Sequence, residues 1–341
     1  MSQLGYYVAT LAFYWFIYSI LSWGLNLQFG ETGIINFAYI AFSAVGAYVS
    51  GVLTLPTPTP GSGITYILGG SNVPFPLNII LGGIAAALVG GLMGLVVFRR
   101  LRSDYLAIVL ISMAFVLYDV INNASGLFDG ADGLSGISEP FGGVLHLNAN
   151  SFIYVFTAIT AVIWIIMWVV MNRVTWSPFG RTLRAIRDDE EAAEALGVAV
   201  FGFRMRSLLL GSFYAGVAGG LTIEFVSAYN PSSWTPPETF VIFAALIVGG
   251  LGNNLGCTVG ALAVPVLFTE LPQFLPQIPG NPGLIPDLDS ALVGVLLIVV
   301  LWVRPQGLIP ERKRSDELLR KGGRPGWHRT SRSAAFGGAN R

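Results

Sequence analysis

Uncharged apolar runs alternate with short polar interruptions along most of the chain. Several of these runs reach the roughly 20 helical residues that cross a hydrocarbon core of about 30 Å. The strict alternation of a membrane barrel is absent, so closed helices must satisfy the backbone in lipid. The predicted spans lie at about 4–27, 33–55, 77–98, 104–124, 151–172, 207–226, 238–251, 255–272 and 289–303.

These runs predict an all-α, polytopic membrane protein with about nine transmembrane helices, within a range of roughly eight to ten. The runs at 238–251 and 289–303 are short for a full crossing, so either could be broken or re-entrant. The first run is expected to be a retained span, because it lacks the positive region and cleavage site of a secretory signal. The composition excludes an ordinary soluble domain, since 53% of residues are hydrophobic and only 11% are charged.

The basic residues predict the orientation in the membrane. All 19 lysines and arginines lie in residues 99–102, 173–206 and 304–341. Basic loops face the cytoplasm, which places the N-terminus outside and the C-terminus inside the plasma (inner) membrane. Even numbers of predicted spans separate the three basic segments, in agreement with this orientation. The loops expected outside contain neither Lys nor Arg: 56–76, 125–150, 227–237 and 273–288.

The predicted domain boundary lies near residue 310. Residues 1–310 are expected to form the transmembrane domain, and residues 311–341 a disordered, basic cytoplasmic tail. This polar, Gly- and Ser-rich stretch cannot bury enough apolar surface to fold alone. The tail could also contact membrane lipid through anionic headgroups, although the orientation rule explains its charge equally well.

The longest internal basic loop, residues 173–206, contains an acidic stretch, RDDEEAAEALGVAVF. Acids from Asp188 to Glu191 suit the positive end of a helix, and the alanines that follow are strong helix formers. Gly197 is a good C-terminal stop. The loop is therefore expected to form a short cytoplasmic helix that presents charge to a docking partner.

Two Gly-interrupted regions are distantly alike and predict a parallel internal repeat: LNLQFGETGIINFAYIAFSAVGAY at 25–48 and IVGGLGNNLGCTVGALAVPVLF at 247–268. Such interrupted segments often mark a transport pathway, but glycine also permits close helix packing. Their amides could line the inner end of the pathway or could cap interrupted helices. The amide residues are Asn26, Gln28, Asn36, Asn253 and Asn254.

Three acids lie within predicted spans, where ionisable groups are expensive: Asp119, Glu224 and Glu270. All three fall in the predicted outer third of their helices. They could line the external mouth and meet the amino group of a solute. Alternatively, they could merely reach interfacial water.

Other chemistry is missing from the sequence. The chain has no GxxxxGK[ST] phosphate-binding loop, and its only lysines, Lys313 and Lys321, lie in the tail. His146 and His328 are isolated, so no metal site and no cofactor are expected. Catalytic triads and nucleic-acid motifs are also absent, which argues against an enzyme or a nucleic-acid partner.

Four ordered stretches carry a resemblance to a known family. Glu191-Ala192-Ala193, followed by Gly197, resembles the EAA loop of ABC importer permeases. LNLQFGETGIINFAYIAFSAVGAY, RSDYLAIVLISMAF with GADGLSGI, and VRPQGLIP are similar to the branched-chain amino acid permeases of the LivH/LivM class, and more closely to LivM. The resemblance covers roughly residues 10–310. It departs at Asp132, where LivM proteins usually have Asn, and at GFRMRSLLL, which lacks the Ile-x-Leu-Pro element of the wider superfamily.

The resemblance implies a permease subunit of an ATP-driven importer for branched-chain or related amino acids. It further implies two ABC ATPase subunits, a second LivH-like permease subunit and an extracellular solute-binding protein as partners. The implied ATPase-coupling residues are Arg184, Arg187, Asp188, Glu191, Ala192, Ala193 and Gly197. For Glu191 and Gly197 the alternative is an ordinary amphipathic loop helix, and for the arginines it is simple cytoplasmic charge.

Three other functions compete with this interpretation. Urea or short-chain amide import uses permeases with the same signatures. A stand-alone secondary transporter or channel would need no docking helix, and its driving ion should leave charged intramembrane sites. A membrane-embedded enzyme would need a catalytic constellation that the sequence lacks.

Overall fold

The computed structural model describes residues 3–55, 69, 71–100, 103–137, 140, 149–236, 238–268, 294–295, 298–300, 302–303 and 306–310. Some predictions fall outside the described residues. These are the position of Glu270, the loop 273–288, most of the run 289–303 and the tail 311–341.

Helices account for most of the described residues, as the sequence predicts. The α-helices are α1 (Gln3–Leu25), α2 (Tyr39–Thr54), α3 (Leu77–Arg100), α4 (Ser103–Asn123), α5 (Ser125–Phe128), α6 (Ala149–Trp176), α7 (Pro178–Asp188), α8 (Glu190–Ala195), α9 (Val200–Val226), α10 (Glu238–Gly249) and α11 (Asn254–Ala261). π-Helical segments continue α1 over Asn26–Gly30 and α11 over Leu262–Phe268. A 3₁₀ turn covers Pro231–Trp234.

Five helical segments of the described chain are long and apolar enough to cross a membrane. They are Leu4–Gly30, Leu77–Arg99, Tyr105–Asn123, Ser151–Trp176 and Val200–Val226. Shorter apolar helices cover Tyr39–Thr54 and Asn254–Val266. The predicted class, a helical multi-pass membrane protein, is confirmed. The number of nine crossings and their direction stay predictions.

Two helices begin away from their predicted starts. α2 begins at Tyr39 rather than at 33. Gly33 has a left-handed backbone with φ 79°, and the Asn36 side chain accepts a hydrogen bond from the Ala38 amide at 3.0 Å, so the chain stays irregular here. α9 begins at Val200 rather than at 207, because its arginines lie at the solvent-accessible beginning of the helix.

The core is built around α9, which packs against α2 and α3. Glycines allow these three helices to approach closely. A Cβ on Gly46 of α2 would lie 2.2 Å from the carbonyl oxygen of Gly216, and one on Gly216 would lie 2.5 Å from the Cβ of Ala86 on α3. Helices without a hydrophobic drive to associate in lipid gain van der Waals contact in this way. Glycine therefore acts in packing along these helices.

A short antiparallel ribbon joins two loops at the end of the bundle where α2 and α9 finish. Strand β1 (Leu134–Ser135) pairs with β2 (Ala228–Tyr229), with Leu134 opposite Tyr229. Tyr229 is buried, and its ring lies edge-on to that of Tyr48 with centroids 5.5 Å apart. The all-α prediction missed this ribbon, because two-residue strands carry no periodic signal.

Candidate functional site

The acidic stretch of the 173–206 loop forms the expected short helix, α8. Asp189 is its N-cap, and its Oδ1 accepts a hydrogen bond from the Ala192 amide at 2.9 Å. Glu190 and Glu191 occupy the first turn, where acids are favourable. The helix ends at Ala195, and Gly197, two residues later, has φ 84° and donates its N–H to the Glu194 carbonyl at 2.8 Å. The predicted start needs one correction, as described next.

Asp188 does not belong to α8 but ends the preceding helix, α7. The break lies at Asp189, whose extended backbone (φ −158°, ψ 105°) separates the two helices. An extended residue is the usual geometry of an N-cap, because its side chain then reaches the first free amides. The loop thus holds two helices joined by one capping residue.

One face of α8 is held in place by a guanidinium and an apolar cluster. Arg204 on α9 makes a bidentate ion pair with Glu190, at 2.5 and 2.7 Å. Ala193 is buried in a cluster with Ile186 of α7 and Val200 of α9. Because α7, α8 and α9 meet in these contacts, the position of α8 relative to its two neighbouring helices is fixed.

The opposite face of α8 is free in the described structure. Glu191, Ala192, Glu194 and Leu196 are exposed, and Leu196 is 86% exposed at the tip. The exposed Leu196 side chain and the carboxylates of Glu191 and Glu194 therefore lie together on this face. This exposed face of α8, with Leu196 at its end, is called the α8 tip below.

Two arginines of α7 point toward the body of the protein. Arg184 forms a salt bridge of 2.8 Å with Glu31, which is 1% exposed. Arg187 donates a hydrogen bond to the Gly30 carbonyl oxygen. Both acceptors belong to the irregular segment that follows α1. The resemblance implies an ATPase-coupling role for both arginines. In the structure both side chains make internal contacts, and Arg181 on the same helix is exposed.

Glu31 and Arg204 are contributors that sequence reasoning missed. Their partners are distant along the chain, so no local spacing reveals them. One signal was available for Glu31, because it is a lone acid beside a glycine within an otherwise apolar stretch. A charge in such a place needs a partner.

The π-helical break after α1, Asn26–Gly30, is hydrogen-bonded to α6 and α11 through amide side chains. Asn26 donates to Asn254 Oδ1 at 3.1 Å and accepts from the Gly252 amide at 2.9 Å. Asn254 donates in turn to Asn172 Oδ1 at 2.8 Å. These contacts join the two Gly-interrupted regions that the sequence analysis singled out.

A second group of amides ties the same break to α9. Gln28 donates to the Leu208 carbonyl at 3.1 Å, and Asn36 donates to Gln28 Oε1 at 2.7 Å. Both side chains are fully buried. The Thr32 and Ser207 hydroxyls lie 2.8 Å apart nearby. These contacts favour helix capping over pathway lining for Gln28 and Asn36, since each amide hydrogen-bonds to backbone at the break or to a neighbouring amide.

Residues 306–310 contact the Gly-Asn stretch between α10 and α11, which is the break in the second Gly-interrupted region. The Leu308 amide donates to the Val248 carbonyl at 2.8 Å, which continues the backbone pairing of α10. Asn253 caps α11 by accepting from the Leu255 amide at 3.1 Å, and it donates to the Pro310 carbonyl at 3.2 Å. Residues 306–310 therefore pack against Gly250 and Asn253, between α10 and α11.

The acids predicted within the spans occupy different environments. Asp119 is exposed on α4. Glu224 is 1% exposed on α9, where Asn78 donates a hydrogen bond to its Oε1. The two residues are not brought together, and Glu270 lies outside the described residues. Within the described part of the chain, no group of three or more His, Cys, Asp or Glu is arranged to hold a metal ion.

Comparisons with known proteins agree with this architecture. The family model for the branched-chain amino acid transport system permease component matches residues 7–301. A probable branched-chain amino acid transport permease protein LivM from Methanocaldococcus jannaschii is 31% identical, over 87% of this chain and 92% of the relative. The LivM protein of Salmonella typhimurium is 26% identical, over 86% of this chain and 68% of the relative.

LivH proteins match as well. The LivH permease of Salmonella typhimurium is 25% identical, over 86% of this chain and 91% of the relative. No solved structure gives a significant match. The family match begins within α1 and covers every later helix and strand named above, to the π-helix after α11. The chain therefore belongs to the branched-chain amino acid transport permease family.

Proposed function

We propose that this chain is a membrane-spanning subunit of an ATP-binding-cassette importer that carries branched-chain or related amino acids across the plasma membrane. The observation that carries the proposal is the α8 tip, which projects from the bundle while the base of its loop contacts the break after α1. The printed names of the LivM and LivH relatives support the solute class. ATP hydrolysis is proposed to reside in the partner subunits, because this sequence has no GxxxxGK[ST] phosphate-binding loop.

The proposed topology has nine crossings, an external N-terminus and an internal C-terminus. The three basic segments support it. Three predicted crossings precede the first segment, two separate the first from the second, and four separate the second from the third. With the N-terminus outside, all three segments then lie inside. In this topology α7 and α8 lie in the cytoplasm, and the β1–β2 ribbon lies outside. The basic tail, residues 311–341, would then lie on the cytoplasmic side.

The α8 tip is the proposed docking element for an ATPase subunit. Leu196 would enter an apolar groove, and Glu191 and Glu194 would face basic residues around it. Asp188, Ala193 and Gly197 would shape the element, and Ala192 would contribute to its exposed face. Two ATPase subunits would each hold one permease subunit, this chain and a LivH-like partner. An extracellular binding protein would deliver the solute.

Arg184 and Arg187 are the proposed link from the docking element to the translocation pathway. They lie on α7, directly before α8, and their partners Glu31 and Gly30 follow the π-helical break of α1. A push on α8 would shift α7 and change these contacts, which would bias the permease between two arrangements. The amides of Asn26, Gln28, Asn36, Asn253 and Asn254 would rearrange around this break.

Reconstitution tests the proposal. The chain is inserted into proteoliposomes with a LivH-like permease, the two ATPases and the binding protein from the same source. ATP-dependent uptake of labelled leucine is expected, with no uptake when the ATPases are omitted. Uptake of labelled urea or acetamide instead of leucine would favour the amide-import alternative. Uptake without any ATPase would refute the proposal.

A further inference from the structure

The Glu224 carboxyl is buried where three core helices meet. Glu224 lies in the last turn of α9, and the Asn78 side chain, in the first turn of α3, donates a hydrogen bond to its Oε1. Glu224 is 1% exposed, and Asn78 is fully buried. The Ser50 hydroxyl of α2 donates to the backbone carbonyl of Asn78 at 3.2 Å, so α2 is joined to the same place. The protein itself therefore shields this carboxyl from its surroundings.

Two oxygens of this pair of side chains have no hydrogen-bond donor. Glu224 Oε2 and Asn78 Oδ1 are both buried, and neither has a partner within the described part of the chain. The other two polar atoms, Glu224 Oε1 and Asn78 Nδ2, already share one hydrogen bond. A buried oxygen without a donor loses the hydrogen bonds that it made in water, so native structures rarely leave one unpaired. Two such oxygens on adjacent side chains indicate a shared partner.

The charged residues of the surrounding helices lie far from Glu224. α1 and α2 contain none. Arg204 and Arg206 lie near the beginning of α9, about 27 Å or more away along the helix at 1.5 Å per residue. Residues 99–100, which are both arginines, end α3 at the opposite end from Asn78. The charged residues of α6, α7 and α8 lie within residues 173–194, toward the beginning of α9.

Groups at the end of the bundle where α9 finishes supply no positive charge. The titratable residues of α1, α2 and β2 are tyrosines, which are uncharged at neutral pH. Asp129, Asp132 and Glu238 are acids. Thr54 also acts on the Glu224 carboxyl, but it is neutral, and its hydroxyl donates to the backbone of α2. An ionised Glu224 would thus be a buried charge without a counter-charge among the described residues, which is costly.

We propose that Glu224 binds a proton on Oε2 and donates it to Asn78 Oδ1, so that two hydrogen bonds join α9 to α3. A carboxylic acid and an amide are complementary in this way, because each offers the other one donor and one acceptor. A single proton satisfies both unpaired oxygens and removes the buried charge. A neutral Glu224 is therefore not the counter-charge for the amino group of a solute. The pairing holds whether or not the chain transports amino acids.

Infrared difference spectroscopy tests the protonation of Glu224 directly. The wild-type chain and Glu224→Gln are placed in lipid nanodiscs at neutral pH. The glutamine amide can also exchange two hydrogen bonds with Asn78, so this variant should fold. The wild-type spectrum is expected to contain the C=O stretch of a protonated carboxyl, which Glu224→Gln lacks. Asp132→Asn removes an exposed carboxylate outside the pair and should leave that band in place. No such band in the wild type, or equal intensity in Glu224→Gln, overturns the proposal.

Asn78→Leu tests the pairing itself. Leucine has nearly the shape of asparagine but can neither donate to Oε1 nor accept from Oε2. The carboxyl band should therefore move to higher wavenumber, because the carboxyl has lost both hydrogen bonds. An unmoved band overturns the pairing with Asn78. If Glu224→Gln does not fold, the wild-type spectrum and the Asn78→Leu shift still decide the question.

Denaturant unfolding gives a second measurement. An unfolded glutamate is ionised between about pH 5 and 7, since its ordinary pKa is about 4.3, whereas the folded chain would keep the proton on Glu224. The folded state then binds one proton more than the unfolded state, so stability falls as pH rises. The ratio of the wild-type folding equilibrium constant to that of Glu224→Gln should fall by about tenfold per pH unit. A ratio that does not change with pH overturns the proposal.

A metal cation is the competing occupant, because hard cations also bind carboxylate and amide oxygens. Unfolding in sodium chloride is therefore compared with unfolding in choline chloride at equal ionic strength. A bound proton predicts the same difference between wild type and Glu224→Gln in both salts. A wild-type stability that depends on sodium, and loses this dependence in Glu224→Gln, would assign a cation instead and overturn the proposal.

Discussion

Arg184 and Glu31 are joined by a 2.8 Å salt bridge whose two ends differ in exposure. The Glu31 side chain is 1% exposed, while that of Arg184 keeps 30% of its surface. The pair connects α7, in the charged loop, to the residue that follows the π-helical break of α1. Because the carboxylate is buried and the guanidinium is partly exposed, removing one or the other should lower the free energy of unfolding by different amounts.

Arg184→Ala should lower the free energy of unfolding by about 3 kcal/mol, because it removes the guanidinium that pairs with a buried carboxylate. Glu31→Gln should cost less, since Arg184 can still be hydrated. Denaturant unfolding of the purified chain in detergent measures both losses. Arg181→Ala, at an exposed position on the same helix, is the control and should be neutral. Equal losses for Arg184→Ala and Glu31→Gln would contradict this account of the pair.

Substitution of Gly197 should be destabilising because of its left-handed backbone conformation alone. Its φ is 84°, and a Cβ there would meet nothing within 4 Å. Gly197→Val should therefore destabilise the end of α8 by about 1–2 kcal/mol, and Gly197→Asn by less. Hydrogen exchange of the α8 amides measures the effect. Gly202→Ala also adds a Cβ in open space but has no left-handed backbone, so it should have no such effect.

The α8 tip should govern ATPase binding. Glu191→Lys and Leu196→Asp should each weaken the association of the ATPase by about tenfold or more, as for central interface residues. The stability of the isolated chain should not change, because both side chains are exposed. Co-purification and titration with the ATPase subunit measure this. Leu4→Asp, 73% exposed at the start of α1, is the control. Wild-type ATPase affinity in both tip variants would remove α8 as the docking element.

Asn26 separates the pathway and capping interpretations. Asn26→Ala removes its bonds to Asn254 and to the Gly252 amide, which should destabilise the break by about 1–3 kcal/mol. If the amide is a cap alone, uptake should fall only as far as the amount of folded protein falls. Leucine uptake per folded transporter measures the difference. A loss of uptake at unchanged folded amount would assign Asn26 to the pathway.

The orientation predicts which thiols react from each side of the membrane. Ala195→Cys on α8 should react with an impermeant maleimide only in inverted membrane vesicles. Ser232→Cys in the 3₁₀ turn should react only in intact cells. The natural Cys257 is buried and should stay unlabelled in both preparations. Labelling of Ala195→Cys from outside would place α8 away from any cytoplasmic ATPase.

Local patterns sufficed for the helices and for α8. The long apolar runs predicted α1, α3, α4 and α6 within a few residues, because a helix in lipid must satisfy its own backbone. Asp189, the alanines and Gly197 carry their capping and helical preferences within one short stretch. Those features depend on neighbours along the chain and are readable without a structure.

Contacts between distant parts of the chain decided the rest. Arg184 and Glu31 are 153 residues apart in sequence, and Asn26 and Asn254 are 228 apart. No spacing rule connects such pairs, because their partners come from separate segments of the chain. Periodicity and capping act over a few residues, so they specify which segments become helices. Which side chains of those helices meet depends on how the helices pack together, and only the tertiary structure determines that.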